Sequence, residues 1–570
     1  MPSPAASRRP SWAGPAPWTP AWALLLTLVL LGPALGVGYV LTYDMVWVPD
    51  LTMRADFLGV GSSLPRAVPS DAVVAVLDEV LPVWLLQKAV LVLPLIAGAV
   101  GAVRLLGAAP LLARLVTVSV FVWNPYVVER LVMGHWTVLV GYGVLPWVLL
   151  LGRRWRLDAR LPLALPLLLV LGSLSASAGV VTAVAVLAAV GAGSRVRGLA
   201  ALGLVAAANA PWVASGLLHA AAARSDPAGA AAFALDGEGS VPGPLAALTL
   251  GGIWNSEVVP HSRTDVLGWL ALVVLVAAVA LGARRWWALL GRRDAVTLLV
   301  CWGVGIGIAL VTWLSPDLVA WAAAHVPGGG LLRDGARMLV LCVPLVATLA
   351  GVASARLVGL LEEAGARVMV AGALVLLPVL LLPDAALGVG GRLDAVAFPD
   401  DYQQARSAIE QHTEPGDVLM LPLSSYRRPG WNDDRKLLDP MGRYQPRDFV
   451  TSDVLVVGDT ALEGEDPRVA AVARALDESS PEARTAALAE EGIGIVVTDL
   501  EAPGEAPDVI GEQLYAGPLL EVTAIDGARL SDSPGSWTVT MTVAWTMFLG
   551  APLGAAAVAS ARRLRRRARS

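Results

Sequence analysis

Three carboxylates, Asp44, Asp50 and Asp56, lie in "VLTYDMVWVPDLTMRADFLG" (residues 40–59), directly after the first long apolar run, with Tyr43, Trp47 and Phe57 between them. An acid placed there can take the proton of an attacking hydroxyl. Three further segments carry matching chemistry. "NPYVVERLVMGHW" (124–136) supplies Glu129, Arg130 and His135, and "IWNSEVVPHSRTD" (253–265) supplies Glu257, His261 and Arg263. "GGGLLRDGARM" (328–338) supplies Arg333, Asp334 and Arg337. Guanidinium groups hold phosphate oxygens bidentately. Arg333 and Arg337 are four residues apart, so a helix would put them on one face, beside an N-terminus that also favours anions. Carboxylates and guanidinium groups so gathered suit a group transfer on a phosphate whose lipid tail stays in a bilayer. Each residue also has an ordinary reading. The Trp and Tyr residues suit an interfacial belt, His135 beside Trp136 suits a satisfied interface histidine, and paired arginines suit snorkelling anchors. "GGG" at 328–330 is followed by no Lys-Ser/Thr, so it reads as a loop rather than a phosphate cradle. No metal-ligand spacing, nucleotide fingerprint or nucleophile elbow occurs in the chain.

The elements that must position these residues are membrane spans. The 570 residues are 56% hydrophobic and 16% charged, with a mean hydropathy of +0.64. Such a balance excludes an ordinary soluble protein and fits a polytopic membrane protein. Apolar runs long enough to span the hydrocarbon fall near 21–41, 84–106, 115–128, 137–152, 198–217, 266–283, 295–314, 337–356, 367–386 and 537–558. The stretch 161–193 is interrupted by "GSLSASAG" (172–179) and reads as two short spans. About twelve spans result, with both termini on one side. Arg8, Arg9, Arg104, Arg114, "RRWR" (153–156), Arg160, Arg195, Arg197, "RRWWALLGRR" (284–293), Arg356, Arg367 and the tail "RRLRRRARS" then share that side. By the positive-inside rule it is the cytoplasm. The first apolar run has no convincing cleavage site, so it reads as a retained span. Cys301 and Cys342 lie inside apolar runs, and no disulfide framework is implied.

Residues 387–535 break the pattern with 28 acidic against 12 basic residues. Helical runs ("DPRVAAVARALDES", "PEARTAALAEEG") alternate there with apolar strands ("DVLMLPL", "GIGIVVTD", "LLEVTAIDG"), the signature of a small α/β domain. Parity puts it outside the cytoplasm, and its acidity argues against a nucleic-acid partner. The expected organisation is a disordered cytoplasmic N-terminus (1–20), a transmembrane domain (21–386), the extracytoplasmic α/β domain (387–535), a final span (536–558) and a basic cytoplasmic tail (559–570). The fold class is thus an all-α polytopic membrane protein of about twelve transmembrane helices, with a C-terminal extracytoplasmic α/β domain before the last helix.

An acidic loop straight after the first span, about a dozen spans and a C-terminal extracytoplasmic α/β domain resemble the GT-C superfamily of integral membrane glycosyltransferases. "NPYVVERLVMGHWTVLVGYGVLPW" (124–147) and "LLRDGARMLVLCVPLVATLAGV" (331–352) are similar to segments of its bacterial branch. The resemblance covers roughly residues 20–386. It implies a sugar taken from a polyprenyl-phosphate donor and passed, usually with inversion, to a glycan acceptor outside the cytoplasm. It points to Asp44 as catalytic base with Asp50 in reserve, and to Glu129 as the second acid. Arg130, His135, His261, Arg333 and Arg337 are then candidates for the donor phosphate and substrate. The commoner family pattern has two adjacent acids after the first span, whereas Asp44 stands between Tyr43 and Met45. No cofactor is required by this reading, and a divalent cation is left open. The Ala-, Arg- and Val-rich composition suggests a high-GC actinobacterial source, with cell-wall arabinan or mannan among the conceivable products.

Two other functions fit parts of the sequence. A transporter or flippase of lipid-linked saccharide would want broken or polar helices at mid-membrane, for which only "GSLSASAG" and Asn209–Pro211 qualify. A non-catalytic scaffold of the cell envelope would use the α/β domain to bind wall polymer or a partner protein.

Overall fold

The computed structural model describes residues 17–61, 64–191, 193–220, 226–326, 328–457, 460–530 and 534–567. Most of the N-terminus expected to be disordered lies outside them, and the first helix begins at Trp18. Among the described residues, ten helices are long and apolar enough to cross a membrane. They are Trp18–Leu35, Val83–Leu105, Leu111–Val132, Trp136–Asp158, Arg195–His219, Val266–Leu290, Arg292–Leu314, Gly335–Gly359, Ala364–Leu381 and Gly535–Ala561. The other two of the expected dozen are the short helices Leu165–Leu171 and Ala176–Val190. At about 1.5 Å per residue neither reaches across the hydrocarbon alone. They part at residues 172–175, where Ser175 caps the second of them by accepting from the Ala178 N–H at 3.4 Å.

Two breaks in the spans have local causes. In Leu111–Val132 the helix stops at Trp123, and Asn124 starts a new one. Its side chain accepts from the Val127 N–H at 3.1 Å, and Pro125 occupies the first turn, where no donor is needed. The redirected helix Pro125–Val132 carries Glu129 and Arg130, and it ends at Gly134, whose φ of +76° closes the turn. The second break is in Gly335–Gly359, which opens as a 3-10 segment, Gly335–Cys342, before becoming α-helical at Val343.

Strand β1 (Tyr39–Val40) pairs antiparallel with β2 (Ala395–Val396), tying the segment after the first span to the entry of the α/β domain. That domain holds β3 (Asp417–Leu421), β4 (Tyr426–Arg427), β5 (Leu437–Leu438), β6 (Phe449–Val450), β7 (Leu455–Val457), β8 (Thr460–Leu462), β9 (Ile493–Asp499), β10 (Glu512–Ala516) and β11 (Leu520–Ala524). Its main sheet has the order β10-β11-β9-β3-β6. β3 runs parallel to both neighbours, while β11 is antiparallel to β9 and β10. Every residue of β3 is buried, as a central strand covered on both faces requires. Leu419 and Leu421 pack with Val472 and Leu488 of the helices Pro467–Leu476 and Pro481–Glu490. Val418 and Met420 join Tyr402, Ala405 and Ile409 of the helix Asp400–Gln411. β4 and β5 form a separate antiparallel ribbon. The sequence-derived strands and helices are thus present in an α/β domain before the last helix.

Candidate active site

The loop after the first span is pinned from two sides. Thr42 and Met45 close a tight turn, with the Met45 N–H donating to the Thr42 carbonyl at 2.8 Å. Tyr43, inside that turn, has a φ of +40°. On one side the Asp44 N–H donates to the Met133 carbonyl at 3.2 Å, and the Thr42 hydroxyl donates to the Val132 carbonyl at 2.8 Å. On the other, Tyr43 joins the β4–β5 ribbon: its N–H donates to the Lys436 carbonyl at 2.6 Å and its carbonyl accepts from Leu438 at 2.9 Å. Gly134 lets the two backbones meet, because a Cβ there would lie 2.2 Å from Met45 N and 2.6 Å from the Thr42 carbonyl oxygen. Gly134→Ala should therefore displace the Asp44 turn and cut activity while the spans stay folded. Circular dichroism and turnover on the same sample check this, and wild-type turnover would show that the turn tolerates the shift.

Asp44 sits between two donors. Its Oδ1 accepts from the Tyr426 hydroxyl at 2.9 Å and its Oδ2 lies 3.3 Å from His135 Nε2. Burial by itself would raise its pKa. The hydrogen bonds from His135 and Tyr426, with the charge of Arg337, outweigh burial and hold the carboxyl below its usual range. The side chain keeps 38% of its exposure, so it can still be reached. His135 Nδ1 faces Arg130 Nη1 at 3.2 Å, and a guanidinium can only donate. The imidazole proton therefore belongs on Nε2, pointing at Asp44. Arg337 Nη2, 3.5 Å from Nε2, is then a charge neighbour rather than a donor. Burial first, and the positive charges of Arg337 and Arg130, push the His135 pKa down to about 4, so the ring is neutral near pH 7.

Asp334 organises the cations. It accepts from Arg130 Nη1 at 3.1 Å and from Arg337 Nε at 2.8 Å. Burial opposes its charge, yet the two guanidinium groups hold its pKa at about 2. Arg130 is fully buried and also lies over the Tyr126 ring, 5.4 Å from its centroid, while a third of the Arg337 side chain is exposed. Lys436 Nζ completes the rim, 5.4 Å over the Tyr43 ring, 5.2 Å over the Tyr426 ring and 3.7 Å from Glu257 Oε2. Burial first, and then the hydrogen bond its hydroxyl donates to Glu257, raise the Tyr43 pKa to about 12. An ionised, reachable carboxylate thus stands beside two partly exposed cations and two aromatic rings.

Asp44, Arg130, His135 and Arg337 are brought together, and the remaining candidates are placed elsewhere. Glu129 is buried beside Glu238, which pairs with Arg263 at 2.6 Å. Asp50 binds Arg406 at 2.6 Å and so fastens the first loop to the helix Asp400–Gln411. Arg333 does not share a face with Arg337, contrary to the helical expectation. The chain bends at Asp334 between two 3-10 segments, and Arg333 turns to Glu465 at 2.8 Å and over the Phe233 ring. His261 is exposed on the turn His261–Arg263. Tyr426 and Lys436 were missed by sequence reading, since nothing marks them until the ribbon folds back onto Tyr43. Among the described residues no group of three or more His, Cys, Asp or Glu side chains is placed to hold a metal ion.

No family model matches the chain, and no curated protein does. Among solved structures it is similar to the arabinofuranosyltransferase AftD from Mycobacteria, with a TM-score of 0.54 at 16% identity over 90% of this chain. The chain spans 41% of that protein's length. A more distant likeness is to the oligosaccharyltransferase AglB from Archaeoglobus fulgidus, solved with an inhibitory peptide and a dolichol-phosphate. Its TM-score is 0.35 at 12% identity, covering 85% of this chain and 69% of that one. The likeness to AftD is one of fold, and at that level it agrees with the GT-C resemblance read from the sequence.

Proposed function

We propose that this chain is a membrane glycosyltransferase that moves a sugar from a polyprenyl-phosphate donor to an extracytoplasmic glycan of the cell envelope, with inversion. The observation that carries the reading is Asp44: a carboxylate held ionised and reachable, with Arg337 and Lys436 at its rim, in a fold shared with an arabinofuranosyltransferase. In the reaction the acceptor hydroxyl gives its proton to Asp44, and its oxygen bonds to the anomeric carbon from the side opposite the phosphate. The bond from that carbon to the phosphate oxygen breaks, and polyprenyl phosphate leaves with the electron pair. Arg337 and Lys436 offset the charge that grows on the departing oxygen. His135 and Tyr426 orient Asp44, Arg130 fixes the imidazole tautomer, and Asp334 sets both guanidinium groups. Asp50, in this reading, is a fastening for the α/β domain, and Glu129 lies outside the reaction centre. An actinobacterial envelope, with arabinan or mannan as product, is consistent with composition.

Purified protein in nanodiscs, given a polyprenyl-phosphate sugar and an envelope glycan, should yield a glycoside whose anomeric configuration is inverted by NMR. A product of retained configuration would replace direct displacement with a covalent intermediate, and transport of intact donor without product would favour the flippase.

The reading requires the α/β domain to lie outside the cytoplasm. Ser479 is exposed on that domain, and both native cysteines are buried. Ser479→Cys should react with an impermeant maleimide in cells whose outer envelope alone is permeabilised. Labelling only after the inner membrane is lysed would reverse the topology.

A further inference from the structure

An open groove of about 800 Å³ lies between the helix Asp400–Gln411 and β10, an edge strand of the main sheet. None of the residues around Asp44 lines it. Asp400, Gln403, Gln404, Ser407 and Gln411 recur along the helix every one to four residues and present one face to the groove. The opposite face is buried through Tyr402, Arg406 and Ile409, and Arg406 binds Asp50 of the first loop at 2.6 Å. Tyr515 forms part of the far wall. Its hydroxyl is occupied by Asp401 and by Gln404 at 3.2 Å, which fixes the ring in place.

The lining selects a chemical class. It contains no Lys or Arg, and its two carboxylates, Asp400 and Glu512, outnumber the one imidazole, His412, so a phosphate, an anionic lipid or a nucleic acid is disfavoured. Primary amides present a donor and an acceptor in one plane, a match for adjacent hydroxyls, and an aromatic ring can stack on the apolar face of a sugar. We propose that this groove binds a neutral oligosaccharide, away from the reaction centre and on a helix fastened to the loop that carries Asp44. The choice of a saccharide over other neutral polar ligands rests on the glycosyltransferase reading above. Bound there, a growing glycan would be kept near the site between transfers, raising its effective concentration.

Full-length protein in nanodiscs can be titrated with three neutral probes, an arabinan, a mannan and a maltodextrin oligosaccharide, followed by saturation-transfer NMR and calorimetry. At least one should bind, and the double variant Gln403→Ala with Gln411→Ala should weaken it about tenfold, equivalent to about 1.4 kcal/mol. Asp44→Asn should bind that probe as the wild type does, which separates this site from the reaction centre. No binding of any probe at about 10 mM, or binding indifferent to the groove variant, would overturn the proposal. So would an extended peptide that adds to the β10 edge where no saccharide binds. Wild-type protein that turns over but binds none of the probes refutes this site alone, whereas groove binding in protein without any turnover refutes the reaction reading alone.

Discussion

Asp44→Asn should lower turnover by about 100- to 10,000-fold, the usual span for loss of a general base, while leaving the protein folded. The amide oxygen can accept from His135 Nε2–H while the amide N–H donates to the Tyr426 hydroxyl, and the side chain is partly exposed, so no buried charge is orphaned. What is lost is the ability to take the acceptor proton. The pH profile tests whether the proton acceptor is already in its basic form well below neutral pH. Because the Asp44 carboxyl is held below its ordinary range, kcat/KM should stay flat as pH falls from about 8 to 5 and decline only below about 4. An acid limb centred near about 6.5 would instead mark His135 as the base, against its depressed pKa. Near-normal turnover of Asp44→Asn would remove Asp44 from the mechanism and turn attention to Asp50, whose carboxylate is bound to Arg406.

The second large effect is on stability. Arg130 is wholly buried and shares Asp334 with Arg337. Arg130→Met leaves the buried Asp334 carboxylate with one cation in place of two, and removes the donor from His135 Nδ1. Breaking one side of a buried pair costs about 3–5 kcal/mol, and the retained Arg337 contact places this case near the lower bound. Removing the acid as well, in Arg130→Met with Asp334→Leu, should restore most of that loss, since no uncompensated charge is left buried. Turnover should not return, because Arg337 and His135 have lost the groups that orient them. Thermal unfolding in detergent, followed by tryptophan fluorescence, measures both variants. A single variant within about 1 kcal/mol of wild type would mean that the carboxylate is satisfied without Arg130.

Much of the membrane architecture was legible because hydropathy has only one answer in a bilayer: a long apolar run must be a helix. "GSLSASAG" showed its break through small and capping residues, and the break is there at residues 172–175. The central strands β3, β9 and β11 were visible as apolar runs bounded by turn residues. Within the site, Asp44, Arg130, His135 and Arg337 could be singled out, since ionisable groups beside apolar spans are costly and rarely idle.

Partner choice was not legible. The spacing of Arg333 and Arg337 suggested one helical face, but spacing says nothing of the 3-10 geometry that separates them around Asp334. Glu129 and Arg130 are adjacent in sequence, and about 100° of helix rotation sends one to Glu238 and the other to Asp334. Tyr426 belongs to a two-residue strand and Lys436 directly precedes another, both more than 380 positions from Asp44. No local pattern reports a contact of that range.

The most direct test is a structure of the protein with an unreactive polyprenyl-phosphate sugar analogue bound in nanodiscs. The phosphate should lie on Arg337 and Lys436, with the anomeric carbon leaving room for one acceptor hydroxyl between itself and Asp44. In that arrangement the attacking oxygen stands about 3–3.5 Å from the carbon. A donor seated with its phosphate on Arg333, or with its sugar against Glu129 and Glu238, would contradict it.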